Sequence, residues 1–162
     1  MSLTFVVGTA ADVFGADLAR LIDAELGTRP GGEAYQSEPV EAIGWRALQK
    51  RVMETMDAAP QLTTIDAYQA VYVPGAHAVE QKPIGNLADP LQVGSLEALL
   101  EELRRFAAAA SLPTDDVELM QLAVHYLESD DFHADLDVQT YVQLMLSAKQ
   151  ASARGQALWI VV

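Results

Sequence analysis

Apolar residues cluster at both ends of the chain, in residues 3–7 and 157–162, without the polar alternation of a half-exposed strand. Short continuous apolar runs beside Gly8 and after Gly155 predict buried strands. A third run, residues 70–73, closed by Pro74 and Gly75, predicts another strand. Between them the spacing changes to the helical period. Phe14, Leu18, Leu21 and Ile22 predict a helix over 13–26 that stops at Gly27, followed by a loop at 27–32. Trp45, Leu48, Val52 and Met56 mark a second helix, expected to begin at Ser37 or Glu38 with Pro39 in its first turn and to end at Pro60.

The strongest helical pattern follows Ser95, a suitable cap. Leu96, Leu99, Leu100, Leu103, Phe106, Ala107 and Ala110 recur at i, i+3, i+4 and i+7. Thr114 is expected to start the next helix, with Asp115 and Asp116 in its first turn and Val117, Met120, Val124 and Leu127 facing the core. Asp137 is expected to cap a fifth helix, which buries Val138, Tyr141, Val142, Met145 and Ala148 and stops at Gly155. Trp45, Trp159, Tyr72 and Tyr141 all fall on core-facing positions. Residues 74–94, with three prolines and three glycines, show no clear period and read as a long irregular loop.

Three helices in succession near the end argue against regular strand–helix alternation. The expected class is therefore α+β: a small sheet of at least three strands, the N- and C-terminal ones included, packed against about five helices. No linker or repeat divides residues 1–162, so one globular domain is expected.

Charge adds a second layer. Ten Lys and Arg stand against 23 Asp and Glu, a net charge of −13, while the hydrophobic share is 51% and there is no cysteine. The apolar content suffices for a core and argues against disorder. The acidity argues against nucleic acid and anionic lipid as partners, because both are bound by neutralising phosphate. No run is long enough to span a membrane, and the first residues lack the basic start and cleavage pattern of a secretory signal, so a cytoplasmic protein is expected. Residues 95–137 hold eleven acids against Arg104 and Arg105 alone, nine of the thirteen net negative charges. The basic cluster Arg46, Lys50 and Arg51 is too small for a nucleic-acid footprint.

Candidate chemistry is thin. The segment from Gly8 to Gly15 lies between a strand and a helix but lacks the lysine and glycine spacing of a phosphate loop. Ser95 follows Gly94 without a nucleophile-elbow pattern, which leaves it as a helix cap. Asp131, His133, Asp135 and Asp137 alternate, so they would share one side of an extended segment. Asp131, His133 and Asp135 are accordingly the candidate metal ligands. The run has neither the glycine nor the closing glutamate of a calcium loop. Its plain alternative is an acidic connection anchored by Phe132 and Leu136. His77 and Glu80, three residues apart in the 74–94 loop, are a candidate acid–base or metal pair, and His125 reads as a surface residue among Glu118, Gln121 and Glu128. No pattern calls for a cofactor.

The expectation from the sequence is a non-enzymatic, protein-binding module of the inhibitor or immunity kind. Its acidic face within 95–137, drawn from Glu118, Glu128, Asp130, Asp131 and Asp135, would engage a basic protein. The alternative is a small enzyme or ligand-binding domain with its site near 74–94 or 130–137. A homodimer that buries apolar surface is a third expectation.

Overall fold

The computed structural model describes residues 1–28, 32–75, 77–131 and 133–162. Residues 29–31 of the expected loop and Phe132, the expected anchor, lie outside them. The strands are β1 (Ser2–Gly8), β2 (Tyr35–Gln36), β3 (Val40–Glu41), β4 (Ala70–Val73), β5 (Glu80–Lys82), β6 (Leu91–Ser95) and β7 (Ala157–Val161). The helices are α1 (Ala16–Leu26), α2 (Ile43–Thr55), α3 (Pro60–Thr63), α4 (Leu96–Ala110), α5 (Asp116–Glu128) and α6 (Leu136–Arg154). None of them is long and apolar enough to cross a membrane.

The fold is α+β, with a larger sheet than expected. Its order is β2-β1-β7-β4-β6-β5, and β3 pairs separately with β1. The strand β7 lies between β1 and β4, antiparallel to both, with Phe5 opposite Ile160 and Val71 opposite Trp159. β4 and β6 are parallel. Both faces of the sheet are covered, which explains the continuous apolar runs at the chain ends. Along β7, Leu158 and Ile160 join the core beneath α2, α4 and α6, while Ala157 and Trp159 join a second cluster beneath α1. The Trp159 indole N–H donates to the Gly8 carbonyl at 3.1 Å. Trp45, Tyr72 and Tyr141 are buried as expected.

The helix α6 is buried nearly all round, because β1, α2, α4 and α5 pack on it from different sides. Its approach to α2 is close at Gly44, where an added Cβ would sit 3.1 Å from the Leu136 carbonyl and closer still to the Thr140 hydroxyl. Arg51 Nη1 donates to Asp137 at 2.8 Å and ties the same two helices.

Several elements differ from the sequence reading. Residues 37–39 do not begin α2. The Ser37 amide donates to the Phe5 carbonyl, and the Ser37 hydroxyl oxygen accepts from the Phe5 amide at 3.0 Å. The segment therefore runs along β1 as an edge, where Pro39 is tolerated for want of a donor to satisfy, and the helix starts at Ile43. Pro60 does not follow α2 as a stop but opens the short α3. The 74–94 stretch is not one loop, since it contains β5 and all of β6 but Ser95. Gly94 interrupts the apolar alternation of β6 because the Tyr72 ring and the Gln61 side chain lie over it, 2.5 and 2.6 Å from a Cβ placed there.

Candidate functional site

The helix α5 begins at Asp115, whose carboxylate accepts from the amides of Val117 at 3.1 Å and Glu118 at 3.3 Å. Asp115, one residue after Thr114, is thus the cap, and its charge lies at the positive end of the helix dipole. The helix carries two apolar stripes. One is Leu119, Leu122, Ala123 and Tyr126; the other is Val117, Met120, Val124 and Leu127, the set expected inside. The first faces the core, with Leu119 fully buried and Ala123 nearly so. The second faces outward, with Val117, Met120, Val124 and Leu127 exposed by 64, 53, 45 and 58%. A helix docked along one side can bury only one of two such stripes, and the one containing small Ala123 lies inward.

Carboxylates stand at the two ends of the exposed stripe. Asp115 and Asp116 stand at its start, and Lys149 Nζ is held there by Asp116 and by the Thr114 carbonyl. Glu118, Gln121 and His125 lie on the side of the helix turned away from the stripe, while Glu128, four residues after Val124, borders its far end. At the other end Leu127 forms the lip of a groove of about 290 Å³, floored by Val40, Ala123, Tyr126 and Val142 and bordered by Glu38 and Glu41. Leu127 thus belongs both to the stripe and to the lining of the groove. Tyr126 donates to Asp135 at 3.3 Å. Its phenol is pushed up to about 12, first by burial and then by the Asp135 carboxylate.

The acidic connection does not run extended. The Asp131 amide donates to the Ser129 hydroxyl oxygen at 3.2 Å, and the Asp131 carboxylate accepts from the His133 amide at 3.1 Å. Residues 133–135 turn into α6 with Asp135 at φ 50°. Asp137 lies in the first turn of α6, paired with Arg51, and is not its cap. This turn removes the alternation on which a shared side for Asp131, His133 and Asp135 depended. Among the described residues no three His, Asp or Glu side chains are gathered as a metal-holding group.

The acids of residues 95–137 are not all on the surface. Glu102 is buried and accepts from the amides of Gln61 at 3.0 Å and Leu62 at 3.1 Å, capping α3 from inside. Burial raises its carboxyl above the usual range against the pull of those bonds. Glu118, Glu128, Asp130, Asp131 and Asp135 are exposed.

His77 and Glu80 are held by separate partners. The His77 ring Nδ1 lies 2.9 Å from the Ala78 carbonyl, its Nε2 is buried, and Glu80 is 3.7 Å from Lys82. Ser95 accepts from the Ala98 amide at 3.1 Å, as its capping role requires, and also donates to the Gly75 carbonyl.

Sequence reasoning overlooked Glu38, Glu41 and Tyr126, and assigned the exposed stripe of α5 to the core. The signal for the second error was legible: eight of the 13 residues of α5 are apolar, more than one docked face can take. In comparisons with known proteins, no family model, curated protein or solved structure matches the chain.

Proposed function

We propose that this protein is a non-enzymatic, protein-binding module of the inhibitor or immunity kind, and that its α5 side engages a basic partner. The observation that carries this reading is the exposed stripe of Val117, Met120, Val124 and Leu127 with carboxylates at its two ends. An apolar centre within a charged rim is the anatomy of a protein interface, and such patches are uncommon on surfaces that meet only water. The acidic rim would speed encounter with a positive surface and make binding salt-sensitive.

The test is recovery of partners from lysate at low salt by the natural protein, by Glu118→Lys/Glu128→Lys and by Met120→Ala/Val124→Ala. The reading requires a basic polypeptide, identified by mass spectrometry, that the natural protein retains and both variants lose. Recovery of no such polypeptide, or its undiminished recovery by both variants, overturns it.

A further inference from the structure

We infer that the occupant of α5 is a basic, amphipathic α-helix of a partner protein, laid along the stripe with one bulky apolar side chain in the groove beside Tyr126. This rests on the protein-binding reading above and goes beyond it by fixing the partner's secondary structure and residue pattern.

Spacing is the first argument. Val117, Met120, Val124 and Leu127 follow one another by three, four and three residues, the seam by which helices meet at shallow crossing angles. They form a ridge about 15 Å long on a 13-residue helix. Such a ridge is matched by the row of gaps between side chains on a second helix. Where the ridge ends, the groove floored by Tyr126 and Val142 leaves room for one large side chain from the last turn of that helix.

Charge excludes the simplest alternative, a second copy of this chain. The helix α5 contains no Lys or Arg. Antiparallel pairing of two copies would set Asp115, Asp116 and Glu118 against Glu128, Asp130 and Asp131, and parallel pairing would set each acid beside its own twin. Either arrangement places like charges around an apolar seam, which is costly. A helix carrying Lys or Arg on both sides of its apolar seam meets Glu128 along one flank and Glu38 and Glu41 on the other.

Three synthetic peptides of about 20 residues, long enough to cover the ridge, provide the test. The first repeats leucine at three- and four-residue steps among lysine and arginine. The second has the same composition in scrambled order, and the third is the first with a central proline. Each is titrated calorimetrically into the full chain and into Met120→Glu/Val124→Glu.

The inference expects the first peptide to bind at least about tenfold more tightly than the other two, a difference of one decade in Kd. It also expects a gain of helical circular dichroism on binding and loss of binding in the variant. The comparison among peptides needs no variant, so it stands whether or not the substituted protein folds. Equal binding of all three peptides shows charge attraction alone and overturns the helical partner, leaving the basic-partner reading intact. Failure of every peptide, with a basic protein still recovered through α5, also overturns the helical partner alone; failure of both experiments removes both readings. Self-association of the free chain that Met120→Glu/Val124→Glu abolishes would assign α5 to a second copy and overturn the inference.

Discussion

Glu102 caps a helix that precedes it in the chain: its carboxylate, buried on α4, accepts the amide N–H of Leu62, forty residues earlier in the first turn of α3, at 3.1 Å. The second oxygen takes the Gln61 amide at 3.0 Å. One side chain therefore satisfies two donors that a short buried helix would otherwise leave bare. Replacing Glu102 by Ala strands both donors and opens a cavity, and the expected cost is about 3 kcal/mol. Urea denaturation at neutral pH measures it.

The same carboxyl gives stability a pH dependence. Burial holds its folded-state pKa above the ordinary glutamate value, so the folded chain binds this proton more readily than the unfolded one. Its contribution is fully present below the ordinary value and is lost as pH rises from there through the raised one. The natural protein should therefore gain stability on mild acidification from neutral pH, and Glu102→Gln should show a shallower gain. Denaturation midpoints of the two proteins across that interval decide the matter, and parallel slopes would refute the assignment.

Gly44 sets how closely α2 and α6 approach. Alanine is the better helix former by about 1 kcal/mol, yet Gly44→Ala should destabilise the protein by about 1–3 kcal/mol because its methyl meets Leu136 and Thr140. Combining it with Thr140→Ala, which removes the nearer obstacle, should restore part of the loss. Additive losses in the double variant would argue against the contact as the cause.

The two stripes of α5 make opposite predictions. Leu119→Ala, on the buried stripe, should cost about 2–4 kcal/mol. Met120→Ser, one residue away on the exposed stripe, should change stability by no more than about 0.5 kcal/mol. Thermal unfolding of the two variants measures which side of the helix the protein buries.

Tyr126 reports on the groove. Its phenol is pushed up to about 12, and Asp135→Asn should bring that value down without restoring the ordinary one, since burial is the larger cause. Residue-specific NMR titration of the ring is the measurement.

Much of the fold was legible because its determinants are local. The terminal strands are apolar on both faces, Ser95 has a helix to cap, and α4 repeats its pattern over four turns. What escaped depended on contacts between distant residues. Nothing near Pro39 says that β1 offers an edge to residues 35–41, and Gly94 looks like a loop residue until Tyr72 and Gln61 are seen above it. On α5, periodicity marked Val117, Met120, Val124 and Leu127 as the core face, but which of the helix's two stripes faces inward is decided by packing against α6. The candidate ligands Asp131, His133 and Asp135 rested on an extended backbone, and the Asp131 side chain instead bonds the His133 amide and helps turn the chain.

The position of β7 governs the order in which this molecule can assemble. Among the described residues, the strand β1 with its short partners and the β4–β6–β5 group are joined in the sheet only through residues 157–161. Thr4 pairs with Val161 and Ala70 with Ile160, so on a ribosome the first strand must wait for most of the chain to be made. During that interval two apolar sheet edges stand open, and pairings of such long sequence separation form slowly. The interval before β7 arrives is thus when the chain most needs protection from joining edge to edge with its neighbours.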